Sequence, residues 1–267
     1  MSKLVVRNLT KVFNLGFFRK RKVVAVKNVY FEVAEGEIVS LVGESGSGKT
    51  TAAKMILRLL PPTDGEIVFE GFDVWKDLCS RKDLIEYRKR VHAVFQDPFA
   101  SYNPFYPVER TLWQVLRLTG ERDRKKGLKL IEEALFKVGL DPKDIIGKYP
   151  HQISGGQKQR MMIARCWLLK PSLIIADEPT SMIDASSRGG IISLLESLRE
   201  EQGTSIMFIT HDLGLAYYVS ERIFVMKEGE IVEEGTPDEV VLNPKHPYTK
   251  QLVNSIPKLF SKLEDFV

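Results

Sequence analysis

Gly43-Glu44-Ser45-Gly46-Ser47-Gly48-Lys49-Thr50 fits the pattern G-x-x-x-x-G-K-[ST] and constrains this chain more than any other stretch. Glycines at 43, 46 and 48 admit backbone conformations closed to residues that carry a Cβ, so successive N–H groups can converge on one point. A helix that starts immediately afterwards adds the positive end of its dipole to that point. The pattern carries this meaning only between a strand and a helix, and both flanks fit. Residues 37–42 are a short, mostly apolar run of strand length, and 50–60 set Met55, Ile56, Leu59 and Leu60 on one helical face before Pro61-Pro62 ends it. The loop is therefore predicted to wrap phosphate oxygens, with Lys49 reaching the terminal phosphates and the Thr50 hydroxyl, a hard oxygen donor, on Mg²⁺.

The chain is long enough, at 267 residues, for one large or two modest domains without disulfide staples. Its apolar runs fall far short of the roughly 18 residues that cross a bilayer. The first six residues lack the basic-then-apolar order of a secretory signal, and only Cys79 and Cys166 are present, so cytoplasmic residence is expected. A net charge of +4 is mild. The basic runs at 19–22 and 122–129 are read as solvated loop and helix faces rather than nucleic-acid or headgroup patches, and no nucleic-acid partner is expected.

From the N-terminus, residues 3–9 and 23–33 are β-rich and bracket a basic loop, which predicts an antiparallel sheet ahead of the nucleotide core. Phe13 leaves the first strand either to stack on an adenine or to fill core; its position alone leaves both readings open. Residues 67–71 read as a strand behind the Asp64-Gly65 turn, 83–90 as a short charged helix, and 91–95 as a strand running into Gln96. Three prolines then forbid regular structure up to residue 107, and the aromatics there either pack inward or meet a partner. From 108 to 138 the spacing of Leu112, Val115, Leu116, Leu128, Ile131, Leu135 and Val138 is helical. A mainly helical insert thus separates the first strand group from the later strands.

Ser154-Gly155-Gly156-Gln157 opens the next predicted helix. Ser154 suits an N-cap, and the two glycines leave bare N–H groups, so ordinary capping and contact with a second anion both remain open. Residues 173–176 form a continuous apolar run, as in a strand buried on both faces, and deliver Asp177-Glu178 at the end where open α/β sheets place ligands. Asp177 is expected to hold Mg²⁺ through water. Glu178 is expected to polarise the water that attacks the terminal phosphate, a role worth about 10²–10⁴ in rate. Residues 205–210 repeat the pattern and end in His211-Asp212, with His211 read as a phosphate contact. His92, His151, His211 and His246 show no ligand spacing, so no transition-metal site is predicted. Residues 222–235 close the core as a hairpin around Glu228-Gly229.

These pieces, in this order, resemble the nucleotide-binding subunit of an ATP-binding cassette (ABC) transporter over nearly the whole chain. Gly43–Thr50, with Thr51 beside it, looks like the Walker A motif; Gln96 like the Q-loop glutamine, which shares the Mg²⁺ with Thr50 and Asp177; and Ser154–Gln157 like the signature diagnostic of the family. Leu173–Glu178 resembles Walker B, Ser181–Asp184 the D-loop, and His211 the switch histidine. Phe13 sits where the family has its adenine-stacking aromatic, usually Tyr. Ile153 replaces the usual Leu before Ser-Gly-Gly, and Met182-Ile183 replace the usual Ala-Leu of the D-loop, apolar for apolar.

The resemblance implies an α/β fold: a P-loop NTPase (RecA-like) core over 1–95 and 165–240 with an N-terminal antiparallel β subdomain. A helical subdomain over 96–164 ends in the signature, and a tail covers 241–267. It implies ATP hydrolysis in a head-to-tail pair with a second ABC ATPase subunit, identical or related, with Ser154 and Gly156 acting across the pair and Asp184 beside the nucleotide. It also implies permease subunits, an extracytoplasmic substrate-binding protein and a peripheral place on the cytoplasmic face of the membrane. The stretches at 95–104 and 243–252 look like the oligopeptide, dipeptide and nickel importer ATPases. Oligopeptide import is the first reading; oligosaccharide or nickel import, and a soluble ABC ATPase outside transport, are the alternatives. Some members hold an iron–sulfur centre in a C-terminal cysteine cluster; with no Cys after Cys166, none is expected here.

Overall fold

The computed structural model describes residues 2–15, 21–97 and 102–255. The described residues of 1–77 and 207–267 form one compact unit and those of 78–206 a second.

In the first unit, β1 (Ser2–Leu15) and β2 (Arg21–Ala34) pair antiparallel. Alternation sends Leu4 and Val6 of one strand, and Phe31 and Val33 of the other, into the core. Asn8 and Asn28 take left-handed φ values of 50° and 47°, and the register shifts beside Asn8, between Val6 and Leu9, and again on the far side of Leu9. β3 (Ile38–Val42) is buried at every position, as a strand covered on both faces must be. The phosphate loop follows it, and α1 (Lys49–Ile56) follows the loop. The sequence pattern carries that helix to residue 60, but it stops four residues earlier. Arg58 is left-handed at φ 55°, the Leu59 and Leu60 N–H groups both turn back to the Lys54 carbonyl, and Trp75 Nε1 donates to the Met55 carbonyl at 3.0 Å. Leu59 consequently leaves the apolar face and is 55% exposed. β4 (Asp64–Phe69) and β5 (Phe72–Asp73) complete a four-stranded sheet in the order β2-β1-β4-β5, joined by a turn at Glu70-Gly71, both with positive φ.

The second unit begins with α2 (Arg81–Arg90), capped by a reciprocal Ser80–Asp83 pair, and β6 (Val91–Val94). Residues 98–101, with Phe99 of the aromatic segment, lie outside the described residues. The continuous helical spacing over 108–138 resolves into α3 (Arg110–Thr119) and α4 (Arg124–Lys137). Gly120 at φ 94° ends the first, and the Asp123 carboxylate, accepting from the Lys125 and Lys126 N–H groups, starts the second. Gly127 is there for packing: a Cβ on it would lie 2.6 Å from the Trp113 ring. After α5 (Pro142–Ile145) come α6 (Gly155–Leu169), β7 (Leu173–Asp177), which pairs parallel with β6, and α7 (Ala185–Gln202).

β8 (Ser205–Thr210) carries the chain back into the first unit. There α8 (Leu213–Val219) leads to the hairpin of β9 (Arg222–Lys227) and β10 (Glu230–Gly235), and α9 (Pro247–Ser255) closes the described chain. The hairpin turn is the expected Glu228-Gly229, with φ values of 48° and 87°. Within this unit β3 lies between β9, its parallel partner, and β8. The turns after β3 and after β8 therefore leave neighbouring strands.

Candidate functional site

Gly43 follows β3 directly, and the loop is packed too closely for side chains where the sequence supplies none. A Cβ on Gly43 would lie 2.1 Å from the Met226 carbonyl oxygen, and one on Gly48 2.3 Å from that of Ala25. Gly48, at φ 109°, also takes the N-cap position of α1, so its glycine is required by conformation as well as by space. Gly229 of the β9–β10 turn donates its N–H to the Ser47 carbonyl at 2.9 Å and accepts from the Lys27 N–H at 2.8 Å, tying the loop to β2.

Lys49 is only 5% exposed. Its ammonium donates to the Gly43 carbonyl at 2.6 Å, the Glu44 carbonyl at 2.8 Å and the Ser47 Oγ at 3.3 Å. A buried cation held by oxygens at the mouth of a glycine cradle is built for an anion: phosphate oxygens can take the place of those carbonyls without leaving the charge unpaired. Ser45 and Gly46 are exposed at the tip, as is Thr50 at the start of α1, with Thr51 half-buried behind it.

Two further expected residues belong to the same unit. Phe13 is half-buried on β1, opposite Val23 of β2 and under the Lys11 ammonium, 5.3 Å from its ring centre. Val23 lies two residues from Ala25, whose carbonyl abuts Gly48. His211 is exposed directly after β8, next to Asp212, whose carboxylate caps α8 through the Leu215 N–H at 3.0 Å.

The second unit holds the remaining candidates. Asp177 ends β7 at 6% exposure. Glu178 leaves the strand at φ 47°, a left-handed conformation costly for a residue with a Cβ, and its carbonyl is fixed by the Ser181 N–H at 3.2 Å and hydroxyl at 3.1 Å. Gln96 Nε2 donates to the Glu178 carboxylate at 3.3 Å. Residues 82 positions apart are thereby brought together. At α6, Ser154 Oγ accepts from the Gln157 N–H at 3.2 Å while Gln157 Oε1 accepts from the Ser154 N–H at 2.8 Å. Capping is thus present, and the Ser154 hydroxyl keeps its proton to donate. A Cβ on Gly155 would sit 3.5 Å from the Met182 carbonyl, and one on Gly156 4.0 Å from Ile183 Cγ2, so the glycine pair rests on the 182–183 turn. Asp184 follows, exposed; its carbonyl accepts from the Ser187 N–H at 2.9 Å, and its side chain makes no capping bond to α7.

Burial shapes the ionisable groups under the second unit. The His92 ring is pushed down to about 3 by burial first and by the Arg165 charge second. Although the residue as a whole is part-exposed, its Nε2 is buried without a hydrogen-bond partner among the described residues.

Residues 26–181 match the ABC transporter family, and residues 232–266 match the oligopeptide/dipeptide transporter C-terminal region. The chain belongs to the ABC transporter family. Among curated relatives, the oligopeptide transport ATP-binding protein OppF of Streptococcus mutans is 43% identical over 259 residues, covering 95% of this chain and 81% of that protein. AppF of Bacillus subtilis, an oligopeptide transport ATP-binding protein, is 40% identical over 258 residues, 95% of this chain and 78% of the relative. Among solved structures, the ATP-binding cassette MJ0796, dimeric in a post-hydrolysis state with ADP and Pi, is 32% identical with a TM-score of 0.77, covering 88% of this chain and 98% of that one. The cassette cbiO1 of Clostridium perfringens, part of the transporter complex cbiONQ, is 27% identical with a TM-score of 0.75 over 91% of each chain. This cassette is an ATPase with the expected P-loop α/β core and antiparallel β sheet.

Sequence reasoning missed Tyr248, whose hydroxyl meets the loop at the Glu44 N–H, 3.0 Å away, and the Gly229 clamp. The tyrosine lies 204 residues from its partner, a separation that no local pattern spans.

Proposed function

We propose that this cassette hydrolyses ATP to drive a peptide importer, paired with a second cassette beneath membrane permease subunits and supplied by an extracytoplasmic substrate-binding protein. The observation that carries the reading is the buried Lys49 ammonium in its glycine cradle, with the Glu178 carboxylate braced by Gln96. Lys49 and the loop N–H groups bind the ATP phosphates, and Phe13 stacks on the base. Thr50, Gln96 and Asp177 would hold Mg²⁺, partly through water, and the ion would supply positive charge against the negative charge of the phosphates. Glu178 draws a proton from the attacking water, and His211 contacts the terminal phosphate. Ser154, Gly155, Gly156 and Gln157 of each cassette cover the ATP of the other, with Asp184 beside it, so each nucleotide site is completed only in the pair.

Peptide as cargo is supported by the C-terminal match and by the names of the relatives. No helix among the described residues is long and apolar enough to cross a membrane, which fits attachment through the permease at the cytoplasmic face. The test is to purify the tagged chain from solubilised membranes of its own host and identify what comes with it. Two permease-type membrane subunits and a second cassette are expected; recovery with ribosomes or nucleic acid instead would overturn the transporter reading.

A further inference from the structure

The C-terminal segment reaches the phosphate loop through the Tyr248 side chain. Tyr248, in the first turn of α9, is 3% exposed and packs with Val42, Ile223, Val225 and Val240 under the end of β3. Its hydroxyl oxygen accepts from the Glu44 N–H at 3.0 Å, and the Lys227 ammonium lies 5.0 Å from its ring centre. The segment is itself anchored. Glu233 of β10 accepts from the Lys245 and His246 N–H groups at 2.7 and 3.0 Å, and His246 Nδ1 accepts from the Tyr248 N–H at 3.2 Å.

The N–H that Tyr248 receives belongs to the Gly43–Glu44 peptide, and the carbonyl of that same rigid plane accepts Lys49 Nζ at 2.6 Å. Glycine at position 43 imposes little preference on the plane's rotation, so the hydrogen bonds at its two ends set it, Lys49 on the carbonyl and Tyr248 on the N–H. We propose that Tyr248 is a positioning residue for ATP binding: its hydroxyl locks the Gly43–Glu44 peptide so that the plane's carbonyl and Lys49 are held ready for the phosphates. The C-terminal segment is then a working part of the nucleotide site. The inference rests on the reading of Gly43–Thr50 as the ATP phosphate loop.

The test compares full-length wild type, Tyr248→Phe, Tyr217→Phe, Val240→Ala and Lys49→Ala by titration with trinitrophenyl-ATP, steady-state kinetics and melting without nucleotide. Tyr248→Phe removes one oxygen and keeps the packing. It is expected to weaken nucleotide binding roughly 3- to 10-fold and to raise KM for ATP by more than it lowers kcat. Tyr217→Phe, which removes a hydroxyl bonded to Asp238 at the surface, is expected to change neither. Val240→Ala loosens the same buried cluster without touching the hydroxyl, so it is expected to lower the melting temperature and spare affinity. An unchanged affinity in Tyr248→Phe, or an equal loss in Val240→Ala, would overturn the positioning role while a weakened Lys49→Ala kept the phosphate-loop reading. Wild-type binding by Lys49→Ala would sink the phosphate-loop reading itself.

Discussion

Gly48→Ala probes whether the phosphate loop is held by steric closeness or merely by a flexible sequence. At φ 109° an alanine is forced into a left-handed conformation, which costs about 1–2 kcal/mol. Its Cβ would also stand 2.3 Å from the Ala25 carbonyl oxygen and 2.8 Å from Met226 Cε. A relaxed carbon–oxygen contact is about 3.3 Å, so roughly 1 Å of movement is required. Ala25 sits on a strand paired to β1, so the loop must give way, and overpacking of this kind adds about 1–3 kcal/mol. The total of about 2–5 kcal/mol corresponds to a fall in melting temperature of roughly 5–15 °C. A loop displaced by that distance is expected to bind ATP on the order of 10²-fold more weakly. Gly46→Ala is the matched control: φ is 85°, but nothing lies within 4 Å of its Cβ, so only the conformational cost of about 1–2 kcal/mol applies. Differential scanning fluorimetry and nucleotide titration of the two variants side by side decide the matter. If Gly48→Ala is no worse than Gly46→Ala in either measurement, the close approach to β2 does not constrain the loop.

The ionisable groups give two further expected outcomes. Glu37 accepts from Arg222 Nε at 2.6 Å and Nη2 at 3.0 Å and from the Ala34 N–H at 2.6 Å; burial alone would raise its carboxyl, but these donors hold it below the ordinary value. A lowered folded-state value means stability that is present above the unfolded value near 4.5 and lost as pH falls through the lowered one, so Glu37→Gln is expected to cost about 1–2 kcal/mol at pH 7 and to flatten the acid limb of a urea-denaturation series. His92 works in the opposite range: with its folded value near 3 and an unfolded value near 6.5, the unfolded chain takes up the proton first, so acidification from pH 7 to 5 is expected to remove about 2 kcal/mol. His92→Leu should abolish that slope between pH 5 and 7 in thermal melts, and an unchanged slope would contradict it.

The sequence was most readable where one chemical requirement acts over a few residues. Gly43–Thr50 needs a strand, a glycine turn and a helix in immediate succession, and β3 and α1 supply them. The 173–176 run is apolar throughout, and 205–210 is apolar between Ser205 and Thr210, because strands buried on both faces have no solvent-facing side, and both are strands. The same reasoning erred where local spacing continued past a tertiary interruption. Leu59 and Leu60 keep the helical period of α1, but Trp75 takes the Met55 carbonyl and Arg58 turns left-handed, so the helix stops short. The 108–138 period ran through Gly120, which breaks it. Tyr248 was illegible for another reason: its role depends on a peptide plane far away in the chain, and an isolated tyrosine in a Pro-rich tail carries no period. The buried Nε2 of His92 likewise arises from packing alone.

The most direct test of the proposed mechanism is steady-state ATP hydrolysis by the purified chain, wild type against Glu178→Gln, with nucleotide binding measured on the same samples. Wild type is predicted to hydrolyse ATP, and the variant to bind ATP normally while its turnover falls by about 10²–10⁴-fold and a closed dimer accumulates on a sizing column. Turnover by Glu178→Gln at the wild-type rate would contradict the assignment of the catalytic base, and with it the mechanism built around the Gln96–Glu178 pair.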